Sequence, residues 1–179
     1  STYKGLSKFD PQNKNFRNFG VEDGLQGNEF NNWAFCKSKN GTMYFGGTNG
    51  VSFFHPDSLQ DNLIIPPIVI TDFQLLHKPV QIGYDANWER TILQTSITET
   101  KQIDLKYNDN IISLEFSALD FNNPERNQYA YFLEGFDKSW THTTAKRRFV
   151  TYTNLDPGEY TFRVKGSNND GIWNEAGTS

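Results

Sequence analysis

The sequence has one cysteine, one methionine and six alanines in 179 residues. A lone Cys36 cannot close an internal disulfide, so no disulfide framework is available and cysteine usage does not fix the redox compartment. Cys36 itself reads as a small buried strand residue. The shortage of alanine and methionine speaks against a helical bundle, which favours the residues of best helix propensity. Positive charge is also short: 17 Lys and Arg face 21 Asp and Glu, a net charge of −4. Nucleic-acid binders usually carry a basic excess, so that class is set aside. No apolar run approaches the ~20 residues of a membrane helix. The longest, residues 63–70, is interrupted by Pro66 and Pro67. No leader or lipidation motif stands at Ser1, which fits a cytosolic chain or an excised piece of an exported one.

What is abundant is aromatic and turn-forming. There are 15 Phe, 8 Tyr and 4 Trp, with 14 Gly and 19 Asn. Aromatic and β-branched residues suit strands, and Asn and Gly suit tight turns. The expected fold class is all-β.

A repeat organises the first third. Gly5-Leu6-Ser7-Lys8-Phe9-Asp10-Pro11 aligns with Gly50-Val51-Ser52-Phe53-Phe54-His55-Pro56 at an offset of 45 residues. A period of ~40–50 residues with Gly turns and aromatic strands is that of propeller blades. Short strands are expected at 15–19, 31–37 and 42–45, with hairpin turns at Asn40-Gly41 and Asn49-Gly50. Residues 1–62 thus read as the end of a β-propeller, about one and a half blades. Two blades cannot close a ring, so the chain is expected to be cut from a longer protein.

Ile65-Pro66-Pro67 marks the boundary, because prolines stop sheet pairing and stiffen a connection. Beyond it, strands are expected at 68–76, 102–107, 111–121, 128–136, 147–153 and 159–165. Residues 83–96 have no clear period and read as a loop or short edge element. So many short strands between turn signals predict an immunoglobulin or fibronectin type III-like sandwich over residues 63–179. Pro157-Gly158-Glu159-Tyr160 looks like a strand corner at which Tyr160 bonds back to the backbone upstream. A last strand of normal length hardly fits between Trp173 and Ser179, so the sandwich is expected to lack one.

The chain resembles the periplasmic sensor region of hybrid two-component regulators of the Bacteroides type. In these, propeller repeats precede a three-tyrosine (Y_Y_Y) domain next to the membrane. The repeat side of the resemblance rests on residues 5–11, on Glu22-Asp23-Gly24-Leu25 with Asn28 and Phe30, and on residues 41–56. The sandwich side rests on Tyr129-Ala130-Tyr131-Phe132-Leu133-Glu134-Gly135-Phe136-Asp137 with Trp140, on Tyr152-Thr153-Asn154-Leu155, on Pro157-Gly158-Glu159-Tyr160-Thr161-Phe162 and on Asn168 and Asp170-Gly171 with Trp173. It implies that Tyr131, Tyr152 and Tyr160 are the three tyrosines. With Gly135, Trp140, Pro157, Gly158 and Trp173 they form a structural motif. It further implies a homodimeric, membrane-anchored parent with histidine kinase output and an oligosaccharide as ligand. In the family a further strand and a Pro-Trp segment follow the last tryptophan; neither is present, nor are kinase, receiver or DNA-binding modules.

A catalytic site is not expected. His55, His77 and His142 lack metal-ligand spacing, and there is no nucleophile elbow or phosphate-cradling loop. Gly46-Gly47 reads as a strand-turn pair. Asp120, Glu134 and Asp137 could pair as glycosidase carboxylates do, but chance is the simpler account in a chain with 21 acids. Asn168-Asn169-Asp170-Gly171 lacks calcium-loop spacing and reads as an Asx turn. Lys146-Arg147-Arg148 reads as the guard of an edge strand. No metal and no cofactor are expected. Trp33, Trp88, Trp140 and Trp173 are candidates for stacking on sugar rings. Trp140 and Trp173 read as packing residues and Trp88 as exposed. A carbohydrate-binding module of an exported glycan-degrading enzyme is therefore the alternative function. Open sheet edges predict strand-mediated self-association.

Overall fold

The structure, a computed structural model, describes residues 1–179 except Tyr3 and Asn13. The chain divides into two compact units, Ser1–Asp61 and Asn62–Ser179. Every strand pair in the described sheets is antiparallel.

The first unit holds a hairpin and a meander. Strand β1 (Leu6–Asp10) pairs with β2 (Asn15–Phe19), and the opposed rings of Phe9 and Phe16 lie 4.8 Å apart. Strands β3 (Phe30–Lys37), β4 (Met43–Gly47) and β5 (Gly50–Phe54) follow in order in one sheet. Aromatic cross-strand pairs hold it: Tyr44 stacks on Phe53 and Phe45 on Phe54, each at 5.8 Å. Such pairs contribute about 0.2–1 kcal/mol each. The two copies of the repeat become β1 and β5, each entered by a glycine of positive φ, Gly5 and Gly50.

Cys36 corrects an expectation. It is exposed, not buried. It lies opposite Tyr44, which in turn lies opposite Phe53, and all three are exposed. Alternation places these three on one face of the meander. Between Phe30 and Phe35 the register of β3 slips. There Trp33 adopts φ +65° and is 89 % exposed.

The second unit is built from two four-stranded sheets. One runs β13 (Phe149–Thr153), β10 (Ile111–Ala118), β6 (Ile68–Leu75), β7 (Lys78–Pro79). The other runs β12 (Thr141–Thr144), β11 (Gln128–Glu134), β14 (Thr161–Ser167), β15 (Trp173–Thr178). Both feed one core. Ile68, Phe73, Leu75, Ile112, Leu114, Phe116, Val150 and Tyr152 enter from the first sheet; Tyr129, Leu133, Phe162 and Val164 enter from the second. Period-2 alternation delivers these side chains to the shared face, and in β6 a register shift that leaves Thr71 unpaired brings Ile68 to the same face as Phe73 and Leu75.

A two-residue hairpin, β8 (Tyr84–Asp85) with β9 (Arg90–Thr91), occupies the stretch of unclear period. Buried Asp85 organises it by accepting from the backbone N–H groups of Gln81 and Asn87 and from the Asn87 amide. The Gln81 N–H is the main reason its carboxyl sits below the usual carboxylate range. Trp88 in this stretch is half-buried against the core, not exposed as expected. The hairpin folds its indole inward.

Two further expectations are corrected. Residues 102–107 form no strand, although their polarity alternates. Strand β10 is already paired on both sides, by β6 and β13, and only Ile103 of the stretch packs against the core. The reverse holds at the C-terminus, where β15 starts at Trp173 and pairs with β14 across an irregularity between Val164 and Gly166. A last strand is therefore present, because Trp173 opens it instead of preceding it. The basic run 146–148 leads into β13, the edge of its sheet.

Candidate functional site

The three tyrosines sit around one aromatic core. Phe116, fully buried on β10, lies 5.5 Å from Tyr129, 5.8 Å from Tyr131 and 6.1 Å from Phe162. Tyr152 on β13 meets Phe162 at 6.4 Å, edge to face. Tilted and edge-to-face rings at these separations add about 0.5–1.5 kcal/mol per pair beyond buried area. The buried hydroxyl of Tyr129 accepts from the Ala118 N–H at 3.1 Å, tying β11 to the end of β10.

Asp137 ties Tyr152 to the end of β11. Its Oδ2 accepts from the Tyr152 hydroxyl at 2.9 Å and from the Leu133 N–H at 2.7 Å. The Asp137 N–H returns to the Leu133 carbonyl at 2.8 Å, so a tight turn presents the carboxylate. Burial, then the hydrogen bond and charge of Asp137, push the Tyr152 phenol far above its ordinary value of 10.0. Tyr131 is raised in the same direction, first by burial and then by Asp137, with Arg147 opposing. Both phenols are held neutral.

Tyr160 is placed by its own turn. Its hydroxyl donates to the Asp156 carbonyl, four residues upstream, at 2.9 Å. Its ring packs against the core and against Gly135, where an added Cβ would lie 3.1 Å from the ring. Gly135 also has φ +92°, so both space and backbone favour glycine there. Gly158 adjoins the same ring and Pro157 is exposed in the turn.

Trp140 and Trp173 stand apart from this core. Lys165 Nζ lies 4.9 Å from the Trp140 ring centroid and 5.7 Å from that of Trp173, and also pairs with Glu175 at 2.7 Å. Phe132 approaches Trp140 at 5.7 Å, and His142 approaches Trp173 at 6.0 Å. Ala130, paired with both Lys165 and His142, is fully buried beneath this cluster. The lysine ammonium lies against both indoles as a cation–π partner.

The remaining candidates do not converge. Glu134 pairs with Arg163, Asp120 bonds Asn62 and Asn169, and Asp137 serves Tyr152. His55 bonds the Asn40 carbonyl and accepts from the Asp57 N–H; His77 is exposed and His142 meets Trp173. Among the described residues no group of three or more His, Cys, Asp or Glu is arranged to hold a metal ion. Asn168 Oδ1 accepts from the Asp170 and Ile172 N–H groups, which forms the Asx turn. A groove of about 280 Å³ in the first unit is lined by Leu6, Phe19, Leu25, Ser52 and Phe54 among others. Another of about 290 Å³ runs beside Asn127, His142 and Thr144.

Sequence reasoning missed the role of Asp137. Its signal was legible: an aspartate three residues after Glu134, in a Gly-Phe turn that ends a strand.

Comparison with known proteins places these features. Residues 120–179 match the Y_Y_Y domain family. Over 178 residues the chain is 39 % identical to Histidine kinase P4 of Formosa agariphila, which covers 99 % of this chain and 13 % of that protein. It is similar to the extracellular domain of a hybrid two-component system from B. thetaiotaomicron, with TM-score 0.70 and 26 % identity over 96 % of this chain and 22 % of that one. A second such domain from the same organism gives TM-score 0.53 and 26 % identity over 98 % of this chain and 22 % of that one. The chain thus spans a minor part of each relative. The resemblance to such sensors that the sequence carries holds across nearly the whole chain.

Proposed function

We propose that this chain is a periplasmic sensor segment of a membrane-anchored hybrid histidine kinase, and that it relays ligand binding towards the membrane. One observation carries the reading. Nearly the whole chain is similar both to a histidine kinase and to extracellular domains of hybrid two-component systems. Residues 1–62 are the end of a β-propeller, about one and a half blades. Residues 63–179 are the immunoglobulin-like Y_Y_Y sandwich, in which Tyr131, Tyr152, Tyr160, Gly135, Trp140, Pro157, Gly158 and Trp173 serve packing. The segment itself is non-catalytic. In the parent, a homodimer, an oligosaccharide ligand shifts the balance between two arrangements. A sandwich with one continuous aromatic core transmits such a shift because it deforms little.

The test uses the membrane-anchored protein that carries this segment. Ligand-dependent autophosphorylation is expected to fall in the double variant Tyr152→Phe, Tyr160→Phe, with basal kinase activity retained. An unchanged ligand response would remove the relay role. Open edges at β3, β5, β12, β13 and β15 further support strand-mediated association of the isolated segment. Light scattering that gives a monomer across a wide concentration range would contradict this.

A carbohydrate-binding module is the second reading, and Trp33 is the observation that favours it: an indole 89 % exposed. Calorimetric titration of oligosaccharides into the chain decides. Saturable binding that Trp33→Ala abolishes supports the module; no binding retires it.

A further inference from the structure

We infer that the connection between the two units turns at the single junction Asp61-Asn62, and that Pro66-Pro67 is not the joint. The chain is tied on both sides of that peptide bond. On one side, the turn Pro56–Ser58 continues into Leu59 and Gln60 through backbone bonds from the Leu59 N–H to Pro56 and from the Gln60 N–H to Ser58. The carboxylate of Asp61 then pairs with Arg17 of β2.

On the other side a clamp begins at once. Asn168, with no exposed surface, donates from Nδ2 to the Asn62 carbonyl at 2.6 Å and to the Ile64 carbonyl at 2.8 Å. Its Oδ1 accepts two backbone N–H groups of its own loop. Both amide hydrogens and both lone pairs are thereby used, the full capacity of the group. The opposite amide orientation would set Oδ1 against two carbonyls, so the assignment is determined by the partners. The Asn62 N–H donates to Asp170 Oδ2 at 2.7 Å. The Asn62 side chain donates to Asp120 Oδ1 and Asn169 Oδ1, each at 3.1 Å, and accepts from the Ile64 N–H. Further along, Asn174 Nδ2 donates to the Pro66 carbonyl at 2.9 Å, and the Leu119 N–H donates to that of Pro67 at 2.8 Å.

Residues 62–67 therefore belong to the second unit by hydrogen bonding, although they form no strand and Leu63, Ile64 and Ile65 expose their side chains. A hinge is a place where few residues absorb a large change in φ and ψ. With Asp61 tied to one unit and Asn62 to the other, that place is one junction wide. The tie on the first side is a surface ion pair and weak; the clamp is a part-buried network of several hydrogen bonds around the fully buried Asn168. Motion is thus confined to the Asp61-Asn62 junction.

Two insertions and one substitution test this on the whole chain, without reference to ligand or kinase. Gly-Gly inserted between Asp61 and Asn62 is expected to leave the melting temperature of the second unit unchanged. The same insertion between Ile65 and Pro66 is expected to lower it by several degrees, since Asn168 and Asn174 can no longer both reach their carbonyls. The reverse order overturns the inference. Asn168→Asp keeps the acceptor pair and replaces the donor by an oxygen facing two carbonyls. Hydrogen exchange at the Asn62 and Ile64 amides is expected to accelerate at least tenfold in this variant, while Leu114 and Phe162 stay protected. Wild-type amides at 62 and 64 that exchange as in a free peptide, or a variant that leaves them unchanged, would also overturn it. Should Asn168→Asp fail to fold, the paired insertions decide alone.

Discussion

Tyr152 and Leu133 share one oxygen of Asp137, at 2.9 and 2.7 Å, so a single carboxylate ties strand β13 to the end of β11 across the sandwich. Asp137→Asn replaces an ionised acceptor by a neutral one. Hydrogen bonds to charged groups contribute about 1.5–3 kcal/mol, and a loss of that size is expected in urea unfolding. Tyr152→Phe is expected to cost less, because the Leu133 N–H keeps its partner. A larger loss in Tyr152→Phe than in Asp137→Asn would contradict this order.

Tyr152 and Tyr131 together set an alkaline limit. The Tyr152 and Tyr131 phenols are raised in the folded state above their ordinary value of 10.0. Their contribution is fully present below pH 10 and is lost as pH rises, because the unfolded chain releases these protons first. Melting temperature is expected to decline above about pH 10, and less steeply in Tyr152→Phe. Spectrophotometric titration near 295 nm should show these phenols ionising only with unfolding. Asp85 works in the opposite direction. Its carboxyl, held below the ordinary value of 3.8, contributes stability above that pH, and the contribution fades as pH falls below it.

Phe116 touches Tyr129, Tyr131 and Phe162 with no exposed surface. Phe116→Ala is expected to cost about 3–5 kcal/mol, as large aromatic truncations in packed cores do. A loss under about 1 kcal/mol would mean that the two sheets do not share this core.

Cys36 is exposed on β3. Its thiol is expected to react with an aromatic disulfide reagent in the native state, at a rate within a few-fold of that in denaturant. Protection until unfolding would place it inside a contact instead.

Much of this was legible in local patterns. The 45-residue repeat located β1 and β5, and alternation located β11 with Tyr129, Tyr131 and Leu133 on one face. These readings succeed because period and turn chemistry act over a few residues. Residues 102–107 show the limit: they alternate like a strand but join neither sheet. Trp88 shows it again, since its flanking Asn87 and Glu89 are polar while the hairpin turns its ring towards the core.

The sequence by itself determined an all-β chain of two parts, the places of most turns, and a likeness carried by tyrosines and glycines at fixed spacing. All of these depend on neighbours within one strand or turn. The tertiary structure alone decided which face of β3 meets solvent, how Trp173–Thr178 add the edge strand of the second sheet, and what three of the asparagines do. Asn168 read as part of an Asx turn, and Asn62 and Asn174 carried no reading. They are cross-links between segments more than a hundred residues apart, and a side-chain amide carries no mark in the sequence of the distant carbonyl it will meet.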